Sequence, residues 1–574
     1  MKAAISMVTL TAFALVACGP EPEIPTSDAT SVADEADAQP NFLLLVADDM
    51  GYTDIGAYGS EIRTPNIDGL AEQSVKLTNF HVAPTCAPTR SMILSGTDNH
   101  TAGLGSMFGR NMLSGVDGVP GYELYLHERV ATLPELLSDA GYHTYIAGKW
   151  HLGVESDQTP TARGFERSFV LIPGSWQHFG APAHLFSENG EMLDESIDDF
   201  YSTRGYTDKL IEYIGENHGD DRPFFAFAAY TSPHWPLQVP DEYLDRYAGV
   251  YDEGYDVLRA NRVKSAQALG LVPQVDAEAG FSRIGPAWDE LSDDEQRVSA
   301  RKMELYAAML ENLDDNIGRL LGYLEEIGEL DNTVILFMSD NGAESDRIDL
   351  NPTFVQRWGP ISDNSMENLG RANSFVSIGP GWAQAATAPF NRAKGFVNEG
   401  GTRVPAFIAY GSSVTPAGID DQFLRAMDIA PTFLELAGTE PVSGNYRGRE
   451  VAEIEGRSFA RILDGNHDPL YSADEPIGSE LHGGRALRLG QYKLVWEQPA
   501  GNTWWDYAVP DSWYRWSLYD IENDPSESRD LSEENPELVE EMIAHWEDYA
   551  EAHGVVREAR LVNWDRWHPT STDN

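Results

Sequence analysis

The sequence predicts an α/β protein: a large, mostly parallel sheet sandwiched by helices, followed by a small antiparallel sheet with a packed helix. Continuous apolar runs are the first observation behind this prediction, because they are typical of strands buried on both faces. Amphipathic stretches lie between these runs, and alternation of strands with helices favours a parallel sheet covered by helices. The length of 574 residues exceeds the roughly 250–300 that one core usually supports, so a smaller second unit is expected.

Four predicted strands each lead into polar residues. The apolar runs are 42–47, 142–147, 224–230 and 334–338. The polar segments that follow them are Asp48-Asp49, Gly148-Lys149-Trp150-His151, Ser232-Pro233-His234 and Ser339-Asp340-Asn341-Gly342. In open α/β sheets ligands bind at the carboxyl ends of the strands. We therefore expect these four segments to converge on one site.

The clearest helix is predicted to begin at Ser292, which has Glu295 three residues later as in a capping box. Apolar residues follow at helical spacing as far as Leu320. Near the C-terminus, 486–489 and 492–496 flank a Gly490-Gln491 turn and predict a hairpin, with another strand at 517–520. A helix is expected to begin at Asn535-Pro536. These elements predict the small antiparallel subdomain.

The N-terminus predicts export. A positive start at Met1-Lys2 precedes an apolar stretch, 3–17, that is too short to span a bilayer and is typical of a secretory signal. Cys18 follows a small residue, which resembles the bacterial lipobox, in which the cysteine is lipidated; the alternative is an ordinary cleaved signal with a bystander cysteine. Gly19, rather than Asp, favours the outer membrane. We expect a lipid-anchored protein in the periplasm or at the cell surface of a Gram-negative bacterium, with no other membrane contact.

Four segments are predicted from these features. They are a signal peptide at 1–17, an acidic disordered tether at 18–40, a catalytic domain at 41–470 and a small α+β subdomain at 471–565.

Composition excludes several classes of protein. The 42% hydrophobic and 23% charged content excludes wholesale disorder, collagen and a coiled coil, and two cysteines cannot form a disulfide framework. The net charge of −52 repels phosphate backbones, so no nucleic-acid partner is expected.

A metal site is predicted from the oxygen-bearing residues at two strand ends. Asp48, Asp49, Asp340 and Asn341 offer carboxylate and amide oxygens, which suit Ca²⁺ or Mg²⁺. The sequence has no CxxC, no HExxH and no Cys/His cluster, so zinc is not expected. A lone Asp-Asp pair could equally be a solvated turn or a helix cap. Two acidic clusters after strongly apolar strands favour metal.

Cys86 presents a chemical mismatch. Pro88 favours the first turn of a short helix, which puts Cys86 at a helix N-terminus beside Arg90, where negative charge is stabilised. The alternative is that Cys86 has no chemical role and is a small apolar residue where a loop joins a helix. A thiol phosphatase would need an arginine where Met92 stands, and the neighbours of a papain-type cysteine are absent. A soft thiolate fits poorly beside hard oxygen ligands, and conversion of this sulfur into oxygen would resolve the mismatch.

Cys86-Ala87-Pro88-Thr89-Arg90 resembles the C-x-P-x-R signature of the type I sulfatases, which have an alkaline-phosphatase-like fold. Other segments also resemble this family, in the same order: 46–51, 141–151, 232–236, 339–344, 394–395 and 399–405. The resemblance covers about residues 40–560 and is closest to bacterial arylsulfatases. It implies a sulfuric ester hydrolase, with a formylglycine-generating or equivalent enzyme as its maturation partner.

The resemblance implies that Cys86 is oxidised to Cα-formylglycine, whose hydrate attacks the sulfur of a sulfate ester. Calcium, rather than magnesium, would be bound by Asp48, Asp49, Asp340 and Asn341 together with residue 86, and would take up a sulfate oxygen. Asp340 would accept the proton of the hydrate, and Arg90 would stabilise it. The product would be a covalent sulfate on residue 86.

The remaining roles implied by the resemblance belong to four basic residues. Lys149, Lys394 and His234 would bind the sulfate group, and either Lys394 or His234 would protonate the leaving oxygen. His151 would remove a proton from the second hydroxyl of residue 86, so that sulfate leaves by elimination. No catalytic role is assigned to His81, His100, His143 or His178. An aromatic-rich run at 504–516 is read as core or lid, with a pocket wall as the alternative.

Two other function classes stay open at this point. One is a promiscuous phosphate or phosphonate ester hydrolase of the same superfamily, and the other is a catalytically dead binding protein on the same scaffold. The charge of −52 repels anionic substrates at long range, and salt screens this repulsion. We therefore hypothesise a salty habitat and a small or singly sulfated substrate. Aryl sulfates are expected from the resemblance, with sugar and alkyl sulfates as alternatives.

Overall fold

A computed structural model of the chain describes residues 39–107, 113–274, 276, 281–411, 417–497, 515–557 and 560–561. The predicted signal peptide, Cys18 and most of the predicted tether lie outside these residues. The compact unit to which the described residues belong begins at Gln39. Within the described part of the chain, no helix combines the length and the hydropathy needed to cross a membrane.

The α-helices are, in chain order, α1 (Pro65–Glu72), α2 (Cys86–Ser95), α3 (Leu133–Asp139), α4 (Ser202–Asn217), α5 (Tyr255–Ala268), α6 (Asp293–Glu326), α7 (Pro352–Trp358), α8 (Pro380–Ala386), α9 (Glu399–Thr402), α10 (Ile429–Leu436) and α11 (Pro536–Ala552). The strands are β1 (Asn41–Ala47), β2 (Val75–Leu77), β3 (Phe80–His81), β4 (Leu113–Ser114), β5 (His143–Lys149), β6 (Arg167–Leu171), β7 (Phe179–Ala181), β8 (Phe186–Glu188), β9 (Glu191–Met192), β10 (Ile197–Tyr201), β11 (Phe224–Ala229), β12 (Thr333–Ser339), β13 (Ala406–Tyr410), β14 (Gly418–Asp420), β15 (Leu424–Arg425), β16 (Gly444–Tyr446), β17 (Arg449–Val451), β18 (Ile477–Leu481), β19 (Gly484–Leu489), β20 (Tyr492–Trp496), β21 (Trp516–Asp520) and β22 (Arg560–Leu561).

The large sheet has ten strands in the order β14-β2-β13-β12-β1-β11-β5-β6-β8-β9. Its five central strands, β12 to β6, run parallel, while β13 and β8 join them in antiparallel fashion on either side. In the centre, Leu44 of β1 lies between Leu336 of β12 and Phe227 of β11. The predicted mostly parallel sheet is confirmed, and the parallel centre brings the carboxyl ends of four polar-tipped strands to one edge.

Helices cover each face of this sheet. Alternate residues of the central strands point to opposite faces, so every strand supplies apolar side chains to both helix-covered cores. Leu43 and Leu45 of β1 pack into a core with α1, α4, α5, α6 and α8. Leu44 and Val46 pack into a second core with α2, α3 and α10. All four residues are fully buried. This explains why β1 is apolar at every position from Phe42 to Ala47 rather than at every second one.

Sequence reasoning placed β1, β11 and β12 within a residue or two of their observed bounds, but the strand predicted at 142–147 is wrong at its end. β5 continues through Gly148 and Lys149. Lysine is tolerated in this buried position because its ammonium pairs with Asp48. A side chain at position 148 would place its Cβ 1.8 Å from the carbonyl oxygen of Ala229 in β11, so the close approach of the two strands requires glycine.

The long helix α6 is confirmed. Ser292 is its N-cap and forms the predicted capping box with Glu295. The C-terminal prediction is also confirmed: β18, β19, β20 and β21 form an antiparallel sheet, and α11 packs on it. Trp516 of the aromatic run packs against Trp546 of α11 and belongs to this small core, whereas residues 504–514 lie outside the described residues. The boundary at 470/471 stays a prediction.

Candidate active site

The polar residues at the carboxyl ends of the parallel strands meet as the sequence predicts. Asp48 and Asp49 follow β1, Asp340 follows β12, and Lys149 ends β5. His234 lies in the turn that follows β11 and is 3.4 Å from Asp49, measured from Nε2 to Oδ2. The remaining predicted site residues that join this group are Cys86, Arg90, His151, Asn341 and Lys394.

Cys86 is the first residue of α2, preceded by Thr85 in extended conformation at the N-cap. Its side chain is 1% exposed, and its Sγ lies 3.7 Å from Oδ1 of Asp49. Burial raises the pKa of the Cys86 thiol well above its ordinary value, although Lys149 and Lys394 act in the opposite direction. Because the thiolate is the nucleophilic form, the unmodified side chain is a poor nucleophile.

Three buried carboxylates surround Cys86. Potential ligand atoms of Asp48, Asp49, Asp340 and Cys86 lie within 4.8 Å of one another. Asn341 donates a hydrogen bond from Nδ2 to Asp49 at 2.7 Å. The Oδ1 atom of Asn341 is buried and accepts no hydrogen bond from any described residue. A buried acceptor without a donor is costly, and a cation among these oxygens would satisfy it.

The three carboxyl groups differ in pKa. Burial raises the pKa of Asp340 to about 7, with the nearby charge of Asp48 adding to it. Burial also raises the pKa of Asp49, partly offset by Lys394. For Asp48, burial acts in the same direction, but Lys149 and other cations more than offset it and hold its pKa well below the usual range. Desolvated like charges held close together are typical of functional sites.

Each carboxylate faces its own cation. Lys149 Nζ lies 2.9 Å from Asp48, and Arg90 lies 2.8 Å from Asp340. Lys394 Nζ lies 2.7 Å from Asp49 and 3.0 Å from Glu344. Three cations therefore line the group of oxygen atoms around residue 86, and they are positioned to bind an anion there.

The two predicted site histidines are both buried. His234 donates from Nδ1 to the carbonyl oxygen of Trp235 at 2.6 Å, and burial lowers its pKa to about 3. Burial, together with Lys149 and other cations, lowers the pKa of His151 well below its ordinary value. The loop after β6 passes over His151 at Gly174, where a Cβ would meet the imidazole at 2.4 Å.

Two further residues adjoin the site: sequence reasoning gave no role to Glu344 and read His178 as structural. Glu344 accepts a hydrogen bond from Trp235 Nε1 at 3.3 Å and also contacts Lys394, so it links two predicted segments. Its place four residues after Asp340 was the available signal. His178 was read as structural, and it donates from Nε2 to the carbonyl oxygen of His234 at 2.9 Å. It therefore holds the backbone of a predicted site residue.

Comparisons with known proteins agree with this geometry. The family model described as Sulfatase matches residues 40–439, and the model for the C-terminal part of N-sulphoglucosamine sulphohydrolase matches residues 392–552. The chain is 45% identical over 537 residues to an uncharacterized sulfatase of Schizosaccharomyces pombe, covering 90% of this chain and 94% of the relative. It is 37% identical over 417 residues to an arylsulfatase of Klebsiella aerogenes, covering 70% and 88% of the two chains.

Solved structures share the fold at lower identity. The crystal structure of Ps i-CgsB in complex with k-i-k-neocarrahexaose is 24% identical, with a TM-score of 0.62 over 92% of this chain and 96% of the other. The structure of BT4656 in complex with its substrate D-glucosamine-2-N,6-O-disulfate is 21% identical, with a TM-score of 0.57 over 90% and 98%. At these identities the similarity establishes the architecture described above.

Proposed function

Because this chain belongs to the sulfatase family and is a sulfuric ester hydrolase, we propose that Cys86 is the precursor of its Cα-formylglycine and that aryl sulfates are its substrates. One observation carries the first part. Residue 86 is buried at a helix N-terminus among three carboxylates and three cations, where an unmodified thiol is unreactive. The hydrated aldehyde would supply the nucleophilic oxygen and a second hydroxyl through which sulfate is expelled.

Sulfatases of this family use a divalent metal, and we propose Ca²⁺ for this chain. Asp48, Asp49, Asp340 and Asn341 would hold it through hard oxygen ligands, with residue 86 beside them. The buried Oδ1 of Asn341 supports this assignment, since it accepts no hydrogen bond from the described residues. When bound, the ion supplies Lewis-acid polarisation of a sulfate oxygen and neutralises the carboxylates.

The cations of this chain bind the sulfate group and stabilise the charge that develops on it. Lys149 and Lys394 flank the oxygen cluster and would contact sulfate oxygens, while Arg90 holds Asp340 in place. The leaving oxygen would receive its proton from Lys394 or His234, which both lie beside Asp49. His151, at the end of β5, would accept a proton from residue 86 in the second half of the reaction.

A partly exposed aromatic wall beside His234 supports an aryl leaving group. The Trp235 ring lies 4.6 Å from the His234 ring and 5.0 Å from Phe354, measured between centroids. Phe354 and Trp358 lie one turn apart in α7, and Trp358 contacts Trp176 at 4.9 Å. Flat apolar surfaces bind aromatic rings through burial and offset or edge-to-face contacts. The relative from Klebsiella aerogenes, named an arylsulfatase, also supports this substrate class.

The first experiment measures the mass of the peptide that contains residue 86, from protein produced together with a formylglycine-generating enzyme. We expect the aldehyde or its hydrate, and hydrolysis of 4-nitrophenyl sulfate that depends on the modification. Protein produced without that enzyme is the matched control. An unmodified thiol combined with full activity would overturn the assignment of residue 86. Faster hydrolysis of 4-nitrophenyl phosphate than of the sulfate would favour a phosphate ester hydrolase.

The leaving-group proposal is tested on the aromatic wall. Trp235→Leu and Phe354→Leu are expected to raise KM for 4-nitrophenyl sulfate by about fivefold to tenfold, because ring contacts of this kind contribute about 1 kcal/mol beyond burial. KM for an alkyl sulfate of similar size should change less. Trp288→Leu, in the separate cluster with Tyr255 and Trp382, is the control. Equal changes for both substrates would contradict an aryl-specific wall.

Export and lipid anchoring remain proposals supported by the sequence alone. We propose that Cys18 becomes the lipidated N-terminus and that the acidic segment behind it tethers the enzyme to a membrane surface in the periplasm or at the cell exterior. Radiolabelled palmitate should be incorporated into the wild-type protein and not into the Cys18→Ala variant. Labelling of the variant would contradict the assignment.

A further inference from the structure

A second cavity lies beside α2, between the short β3–β15 sheet and the C-terminal sheet. Val82, shortly before Cys86, and Met92 of α2 line one side of it. Ile477 of β18 and Ala486 of β19 line the other side. The interior is therefore largely apolar, and it is built by segments that are far apart in the sequence.

Two arginines give this cavity an unusual charge. Arg425 ends β15 and Arg488 belongs to β19, and both line the cavity. Neither guanidinium forms an ion pair with a carboxylate of the described residues. Nη1 of Arg488 is buried and makes no hydrogen bond to them, and the guanidinium lies 4.6 Å from the Phe423 ring.

Three other buried arginines of this protein each form an ion pair with a carboxylate. The buried residues Arg90, Arg262 and Arg392 each pair with a carboxylate at 2.8, 2.5 and 2.7 Å respectively. With 92 acidic residues against 40 basic ones, the chain has ample carboxylates to neutralise a buried arginine. A buried guanidinium without an anion is costly. Burial accordingly lowers the pKa of Arg488 to about 10.

The acidic residues that line the cavity are bound to other cations. Asp98 and Glu480 both contact His100, at 3.0 and 2.8 Å. Glu399 pairs with Lys493 at 2.7 Å. Burial lowers the pKa of Arg425, but Tyr471, Asp98 and Asp428 more than offset it, so Arg425 has acidic neighbours beyond ion-pair distance. Arg488 is the cation of this cavity that its surroundings compensate least, and Arg425 lies beside the same space.

We propose that this cavity binds an organic anion: a carboxylate or sulfonate group held by Arg425 and Arg488, on a small apolar body packed against Val82, Met92 and Ile477. This site is separate from the one around residue 86 and does not depend on the function proposed for it. A ligand here contacts the flank of α2 and the segment before it, whose Pro84 carbonyl accepts a hydrogen bond from Gly395 at 2.8 Å. Occupancy therefore stabilises the same segment that carries Cys86.

The test is calorimetric titration of the full-length protein with ethanesulfonate and with propanoate, whose size suits a cavity of about 70 Å³. Arg425→Met and Arg488→Met remove one charged contact each, and each should weaken binding by about tenfold or more. Arg297→Met, on the exposed side of α6, is the matched control and should leave binding unchanged. Lys394→Met should also leave it unchanged, because Lys394 belongs to the other site. Loss of binding in Lys394→Met, or wild-type affinity in both cavity variants, overturns the proposal.

A second measurement does not depend on how the variants fold. In wild-type protein with labelled methionine methyl groups, ethanesulfonate should shift the Met92 resonance, which Met92→Leu identifies. The shift should persist in Lys394→Met, whose change lies in the site around residue 86. No shift at saturating probe, or a shift lost in Lys394→Met, overturns the proposal.

Discussion

Two buried charge clusters of this enzyme can be compared directly. The active-site cluster contains Asp48, Asp49, Asp340, Arg90, Lys149 and Lys394. The interface triad joins the segment after α2 to β18 of the C-terminal sheet and contains Asp98, His100 and Glu480. In the triad each charge is satisfied. His100 contacts both carboxylates, and the Tyr549 hydroxyl donates to Asp98 at 2.9 Å.

The pKa values follow this difference. Burial lowers the pKa of His100, but hydrogen bonds to Asp98 and Glu480 more than offset it and raise the pKa to about 10. In the active-site cluster, burial raises the pKa of Asp340 to about 7 even though Arg90 pairs with it. In the triad the contacts favour the charged state of His100. In the active-site cluster burial raises the pKa of Asp49 and of Asp340, and a bound cation would favour their charged state.

The largest expected effect concerns Cys86→Ala. It removes the proposed nucleophile, so kcat for 4-nitrophenyl sulfate should fall by at least about 10⁴-fold, while the free energy of unfolding changes by less than about 1 kcal/mol. Initial rates and urea unfolding measure the two quantities. Cys86→Ser, which offers one hydroxyl instead of two, serves as the control and should not sustain turnover. Appreciable multiple-turnover activity of Cys86→Ala would remove residue 86 from the mechanism.

The reverse pattern is expected for His100→Ala in the interface triad. Removing the cation leaves two buried carboxylates unpaired, so the free energy of unfolding should fall by about 3–5 kcal/mol. Because His100 lies outside the active-site cluster, kcat of the folded fraction should stay within about twofold of wild type. Chemical denaturation and active-site-normalised rates measure this. A large loss of kcat without loss of stability would break the distinction between the clusters.

A smaller effect is expected when a ligand oxygen of the active-site cluster is removed. After chelation, Ca²⁺ should raise the melting temperature and restore activity, and Asn341→Leu should weaken Ca²⁺ binding by about tenfold or more. Calorimetric titration with Ca²⁺, and with Mg²⁺ in parallel, measures the affinities. His100→Gln should bind Ca²⁺ like the wild type. Equal Ca²⁺ affinity in Asn341→Leu would show that its amide oxygen is not a ligand.

The last prediction concerns the pH dependence of the free energy of unfolding. The pKa of His100 is raised from 6.5 to about 10 on folding, so its stabilising contribution is complete below pH 6.5 and is lost as the pH rises toward 10. The difference in free energy of unfolding between wild type and His100→Gln should shrink by about 1.4 kcal/mol per pH unit in that window. Urea titrations at several pH values measure it. A difference that stays constant across the window is the result that would falsify this assignment.

Sequence reasoning succeeded where a signal is local. β1 and β12 are continuous apolar runs because both faces of the sheet are covered, and Asp48 and Asp340 stand directly after them. The helix-start signals at Ser292 and around Pro88 were equally local. These signals located the candidate site before any geometry was known.

What was missed depends on contacts between distant segments. The predicted end of β5 was too early because a lysine normally indicates an exposed loop. Lys149 can lie in a buried strand because it forms an ion pair with Asp48, which is distant in the sequence. The short strands β2 and β14, on one side of the large sheet, are three residues each and pair in parallel across more than 300 positions. His100 received no role because its partner Glu480 is 380 residues away. Such pairings leave no periodic pattern in either segment.

The burial of residue 86 has a consequence in time. Its side chain is 1% exposed, and the segments that enclose it include Lys394, more than 300 residues further along the chain. On the proposal that Cys86 is oxidised, a modifying enzyme would have to reach this thiol before those later segments dock. Oxidation of Cys86 and closure of the fold would then compete in each newly made chain. A molecule that closed first would keep a sulfur atom at position 86, folded but without the proposed nucleophile.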